Sequence, residues 1–143
     1  MSRGVPRQVI DMLRAVPLFS ACTLAELRMI ANLGTQITVP AGTQLTVQGK
    51  PGSEFFLVID GKAICVIDGR KVADFGPGDF FGEMALLTKG PRSATITAMS
   101  DMELLVLSPA EFVSLLDDSP RVAVKMLGRL ADRIRALESA PTH

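Results

Sequence analysis

One carboxylate stands inside an otherwise apolar run, Glu83 in Phe80-Phe81-Gly82-Glu83-Met84-Ala85-Leu86-Leu87. A carboxylate withdrawn from water without partners costs several kcal/mol, so Glu83 must reach solvent, meet a cation or accept from a ligand donor. The nearest guanidinium in sequence is Arg92, in Gly90-Pro91-Arg92-Ser93-Ala94-Thr95, after the polar break Thr88-Lys89-Gly90. Gly82 ahead of the helix formers Met84 to Leu87 predicts a single helical turn, whose free backbone N–H groups make a small anion site. The set then contains N–H groups near Ala85, a planar fork at Arg92 for two phosphate oxygens, a hydroxyl at Ser93, and Glu83 to accept from a hydroxyl. That set suits a phosphorylated sugar. The spacing equally allows a Glu83–Arg92 salt bridge tying the loop to a sheet, with Ser93 merely opening a strand.

Other chemistries lack their residues. Cys22 and Cys65 are widely spaced within apolar patterns, and the sole histidine is His143. They read as structural thiols, because zinc wants four close ligands and a nucleophile wants an adjacent base. No catalytic residue, metal site or cofactor is expected, and an enzyme such as a phosphodiesterase would have nothing to activate water. Fifteen basic and fifteen acidic side chains cancel, and there is no Trp or Tyr, so neither a positive field nor stacking platforms favour nucleic acid. Apolar runs such as Phe55 to Ile59 and Leu104 to Leu107 fall far short of the ~20 residues that span a bilayer. The segment Met1 to Val16 mixes charges into its apolar residues, unlike a secretory signal. A cytoplasmic protein with no membrane or nucleic-acid partner is expected, folded as one domain over 1–143.

The elements that must position the set run helix, strands, helix. Val9, Ile10, Leu13 and Val16 fall at helical spacing before Pro17, and Thr23-Leu24-Ala25-Glu26 is a capping box opening a helix that runs through Leu33 to Gly34. From about 35 to 107, turn signals recur at short intervals: Pro40-Ala41-Gly42, Gly49-Lys50-Pro51-Gly52, Asp60-Gly61, Asp68-Gly69 and Gly76-Pro77-Gly78-Asp79. Both Asp-Gly pairs read as tight hairpins. The pattern predicts a mainly β fold, an antiparallel β-roll or jelly roll of about eight strands with helices at both ends. Ser108-Pro109-Ala110-Glu111 caps a helix to about Asp117, and Ser119-Pro120 opens another to about Glu138. On that last helix Ala123, Leu127, Leu130, Ile134 and Leu137 form one apolar seam, to be buried against the roll, a second subunit in a homodimer, or both. The row Arg121, Lys125, Arg129 and Arg133 reads as a solvated face.

The run Phe81 to Leu87 followed by Pro91-Arg92-Ser93-Ala94-Thr95 resembles the phosphate-binding cassette of the cyclic nucleotide-binding domain family, which includes bacterial catabolite activators, protein kinase A regulatory subunits and cyclic-nucleotide-gated channels. Gly49 to Gly52 with Phe55 to Gly61 resembles that family's glycine-punctuated second hairpin, and Pro17-Leu18-Phe19 its entry to the roll. The likeness covers about residues 8–137. It implies a sensor of cAMP, with cGMP the alternative, in which Glu83 accepts the ribose 2′-hydroxyl, Arg92 neutralises the cyclic phosphate, and Ser93 with Gly82, Met84 and Ala85 completes the cradle. It also implies a final helix lying over the base as a lid, with Leu130, Arg133, Ile134, Arg135 and Leu137 as candidate capping residues and Gly128 as a weak point. One departure is Ser53-Glu54, where many members carry Asp after the glycine; lying outside the cassette, it puts little in doubt. Because only Ser139 to His143 follow the last helix, the expectation is a sensor that signals to a separate effector protein. The rival expectation is a domain that kept the fold for protein interaction or dimerisation and no longer binds nucleotide.

Overall fold

The computed structural model describes residues 6–88 and 90–139, with backbone alone at Met84 and Ser139; His143 and the first five residues lie outside the described residues. Helix α1 (Arg7–Arg14) leads through a 3-10 turn at Pro17–Phe19 into α2 (Leu24–Leu33). The capping box at α2 forms as its sequence requires: the Glu26 N–H donates to Thr23 Oγ1 at 3.2 Å, and the Thr23 N–H donates to Glu26 Oε1 at 2.8 Å. Eight strands follow: β1 (Thr35–Val39), β2 (Gln44–Thr46), β3 (Phe55–Asp60), β4 (Ala63–Ile67), β5 (Arg70–Phe75), β6 (Phe80–Phe81), β7 (Thr95–Ala98) and β8 (Met102–Leu107). The chain then forms α3 (Pro109–Asp118), with a second capping box from Ser108 and Glu111, and α4 (Pro120–Ser139). The strands make two four-stranded antiparallel sheets, ordered β1-β8-β3-β6 and β2-β7-β4-β5. The expected antiparallel roll with helices at both ends is present.

The two Asp-Gly pairs do different work. Asp68-Gly69 closes the β4–β5 hairpin, with φ of +51° and +78° at its two turn residues, as a primed turn needs. Asp60-Gly61 does not make the expected hairpin. It is a corner at which the chain leaves one sheet for the other, since β3 pairs with β6 and β8 while β4 pairs with β5 and β7. A Cβ on Gly61 would lie 2.5 Å from the Asp101 carbonyl oxygen, so glycine there serves a close crossing of backbones.

Strand β3 explains its own unbroken apolar run by being buried on both faces. Phe55, Leu57 and Ile59 face the helices and pack with Phe19, Leu27, Leu105, Phe112 and Leu115. Phe56 and Val58 face the gap between the sheets with Cys65, Phe81, Ile96 and Leu104. Both cysteines are buried and free, and burial pushes both thiols above their ordinary pKa.

The roll itself covers little of the expected seam on α4. The helix buries Val122 and Met126, with Leu130 partly covered, whereas Leu127, Ile134 and Leu137 are 65%, 57% and 72% exposed. The roll and the Pro17–Phe19 turn cover the face that carries Val122 and Met126, and the exposed apolar side chains have no cover among the described residues. Nor does Gly128 mark an interruption: α4 runs through it, and a Cβ there would meet no atom within 4 Å.

Candidate functional site

The site is built where β6 ends. Gly82 takes φ +82°, which an L side chain rarely adopts, and turns the chain into a 3-10 turn at Met84–Leu86. After the loop, Pro91 and Arg92 are tied to the Gly49–Gly52 turn. Pro51 bridges Pro91, the Gly49 N–H donates to the Arg92 carbonyl, and the Arg92 N–H donates to the Lys50 carbonyl, each bond 2.8 Å. Backbone pairing therefore fixes where the Arg92 side chain starts.

The guanidinium is held inside. Its side chain is 10% exposed, Nη2 donates to the Glu54 carbonyl at 2.8 Å and lies 3.6 Å from Glu54 Oε1, and Cζ stands 5.9 Å from the centre of the Phe56 ring. Burial lowers its pKa, with the Glu54 charge opposing, and an arginine so shifted still carries its charge at neutral pH. Two glycines make the room: a Cβ on Gly52 would fall 2.6 Å from Arg92 Nε, and one on Gly82 would fall 2.8 Å from Nη1. Glu54 thus belongs to the site more closely than its place outside the cassette suggests. The signal was an acidic residue just after the glycine turn that pairs with the Arg92 segment.

Gly82, Ala85, Arg92 and Ser93 line one cavity of about 400 Å3, whose other walls include Thr46, Cys65, Ile67 and Phe75. The latter set comes from β2, β4 and β5, and sequence reasoning did not identify it. Alternation along those strands is the signal that could have done so. A cationic group and a hydroxyl in a cavity lined otherwise largely by apolar side chains match an amphipathic anion of nucleotide size.

Glu83 is turned the other way. Its side chain, 12% exposed, accepts from Arg133 Nη1 at 3.3 Å through Oε1, and its Oε2 is buried with no hydrogen-bond partner among the described residues. It lines a second cavity of about 590 Å3 between α4, the Pro17-Leu18 turn and Phe80. The alternative Glu83–Arg92 salt bridge is not formed, because each has another partner. The expectation of a free N–H at Ala85 is also corrected: it donates to the Gly82 carbonyl at 3.1 Å, since a 3-10 turn closes its bonds over three residues. At Met84 the backbone alone is described, within that turn. Of the candidate capping residues, Leu130 and Arg133 line the second cavity, while Ile134, Arg135 and Leu137 lie on the exposed part of α4. None of the five lines the first cavity.

A two-sheet antiparallel roll that wraps a buried arginine, a glycine turn and a short 3-10 turn around an anion-sized cavity defines a small-ligand-binding β-roll. Residues 36–119 match the model of the cyclic nucleotide-binding domain, and the chain belongs to that family. Among curated proteins it is 41% identical over 113 residues to a cyclic nucleotide-gated potassium channel of Mesorhizobium japonicum, a match spanning 79% of this chain and 31% of the channel. It is 34% identical over 128 residues to the cyclic AMP receptor protein of Thermus thermophilus, spanning 86% of this chain and 59% of that protein. Among solved structures, the N-terminal domain of a transcriptional regulator from Streptomyces coelicolor superposes with a TM-score of 0.84 at 32% identity, covering 92% of this chain and 95% of that one. The regulatory domain of Toxoplasma gondii PKA, crystallised with cAMP, superposes with a TM-score of 0.71 at 32% identity over 83% of this chain and 47% of that one. The match spans about a third of the channel and about three-fifths of the receptor protein, so what those whole proteins do is not carried over with the fold. No helix among the described residues is long and apolar enough to cross a membrane.

Proposed function

We propose that this chain is a sensor module that binds a cyclic nucleotide, cAMP in preference to cGMP, and passes its occupancy to a separate effector protein rather than catalysing a reaction. The observation that carries the reading is the buried Arg92 guanidinium, which lines the 400 Å3 cavity together with Ser93, Gly82 and Ala85. Arg92 receives the cyclic phosphate with Ser93, and the Ala85 N–H exchanges its bond to the Gly82 carbonyl for a phosphate oxygen. The base takes the apolar lining beside Ile67 and Phe75, and Glu83 accepts the ribose 2′-hydroxyl after turning from Arg133 and the second cavity toward the first. The serine at position 93 supports cAMP, because a threonine at the matching position in channel relatives also assists guanine. Relatives named for cAMP, the Thermus thermophilus receptor protein and the Toxoplasma gondii PKA regulatory domain among them, favour the same choice.

Calorimetric titration of the chain with cAMP and with cGMP tests the reading. Tighter binding of cAMP without turnover is the expected result. A silent titration with both would leave the interaction-domain reading, which has its own support: Leu127, Ile134 and Leu137 keep a spacing of seven and three along the uncovered part of α4, as a helix pairing with a second copy requires.

A further inference from the structure

The β4–β5 hairpin runs past the end of its sheet. The last rung between β4 and β7 pairs Val66 with Thr95, so Ile67, Asp68, Gly69 and Arg70 overhang it. Ile67, on that overhang, lines the same cavity as Arg92 and Ser93. One side chain spans the gap. Gln48, just after β2, uses both ends of its amide on a single residue: Oε1 accepts from the Asp68 N–H at 2.9 Å, and Nε2 donates to Asp68 Oδ1 at 2.8 Å. Two bonds from one planar amide leave the tip no pivot. The Gln48 N–H donates to Thr95 Oγ1 at 2.9 Å, which seats the residue at the start of β7. The next two residues, Gly49 and Lys50, carry the backbone bonds that hold Arg92. The Ile67 overhang and the Arg92 segment are therefore both hung from residues 48–50.

Resting on the reading that Arg92 takes the cyclic phosphate and Ile67 walls the base, we infer that Gln48 is a positioning residue: its amide clamps the overhanging hairpin so that Ile67 meets the base of a nucleotide whose phosphate Arg92 holds. Contact attraction is short in range. A gap of about 0.5 to 1 Å between wall and ring forfeits about a quarter to a half of it, so a base wall at the end of an overhang needs a brace. Gln48 does not itself line the cavity. It acts on the base through Ile67.

The test is a cycle between the brace and the wall. Dissociation constants for cAMP are measured by calorimetry on the wild-type chain, Gln48→Ala, Ile67→Ala, the double variant and Asp68→Asn, with thermal unfolding as the check that each folds. Gln48→Ala leaves the backbone bond to Thr95 in place and should weaken cAMP about three- to tenfold, the scale of the hydrogen bonds removed. In the Ile67→Ala background the same substitution should change affinity less than about twofold, because the wall it places has been cut away. Asp68→Asn should stay within about twofold of wild type, since its amide oxygen still accepts from a neutral donor. Unchanged binding by Gln48→Ala, an equal loss in the two backgrounds, or a loss in Asp68→Asn as large as that in Gln48→Ala overturns the inference while leaving the cyclic nucleotide site standing. If the wild-type chain binds neither cAMP nor cGMP, the functional reading falls, and the inference with it.

Discussion

At the scale of the residue, Arg92 is the group on which the proposed ligand site turns. It is buried, it carries its charge, and two glycines and the Glu54 carbonyl hold it in place. Arg92→Ala should cost about 2 to 5 kcal/mol of cAMP affinity, the scale for truncating one member of a desolvated charge pair, or about thirtyfold to a few thousandfold in Kd. Arg92→Lys should also lose most of the affinity, because an ammonium does not reproduce the planar fork. Competition titration of the two variants checks both, and unchanged binding by either would move the phosphate elsewhere. Glu83 and Arg92, both legible as chemistry from their types and spacing, are not partners of each other. Local order placed them on neighbouring loops, and the partner of each came from a distant segment: Glu54 for Arg92, and Arg133 for Glu83.

At the scale of the element, α4 is docked by its first three turns and by two ion pairs, Lys125–Glu26 and Arg133–Glu83. Lys125 Nζ reaches Glu26 Oε1 at 2.5 Å, joining α4 to the capped end of α2. Burial alone would raise the Glu26 pKa; hydrogen bonds from Lys125 and Thr23 outweigh it and hold the carboxyl below its ordinary value of 4.5. A depressed folded-state pKa contributes stability that is fully present above the unfolded value and is lost as pH falls through the folded one. The urea midpoint of the wild type should therefore exceed that of Glu26→Gln at pH 7, and the gap should narrow once pH drops below about 4.5. A constant gap down to pH 3 would remove Glu26 from the linkage. Along the same helix, Gly128 sits with ordinary φ in open space. Gly128→Ala should therefore raise stability by up to about 1 kcal/mol, seen as a higher Tm. A lower Tm would mean that the glycine is needed for bending or for a contact with another molecule.

At the scale of the whole molecule, ligand binding and folding are one linked equilibrium. A ligand that binds only the folded roll adds about 2.7 kcal/mol at a concentration of one hundred times its Kd. For a domain of this size that should raise Tm by about 5 to 10 °C. A thermal scan with and without cAMP at that ratio measures it, and Arg92→Ala at the same cAMP concentration should cut the shift to about a third or less. An equal shift in the variant would place the nucleotide outside the 400 Å3 cavity.

What the sequence determined by itself is the part governed by near neighbours. Capping boxes at Thr23 and Ser108 and the Asp68-Gly69 turn are satisfied within a few residues, and each formed where its residues stand. The roll and its strand count were legible for the same reason, since alternation and turn residues act locally. Tertiary structure decided what depends on which surfaces meet. Asp60-Gly61 carries the same local signal as Asp68-Gly69, yet it became a corner between sheets because β3 buries both faces and finds its partners in β6 and β8. The stripe from Ala123 to Leu137 has the spacing of a buried seam along its whole length. The roll takes instead the neighbouring face of Val122 and Met126, with Leu130 at its edge and Leu127 left 65% exposed, because a helix's periodicity records which positions are apolar without recording which of them the opposing surface meets.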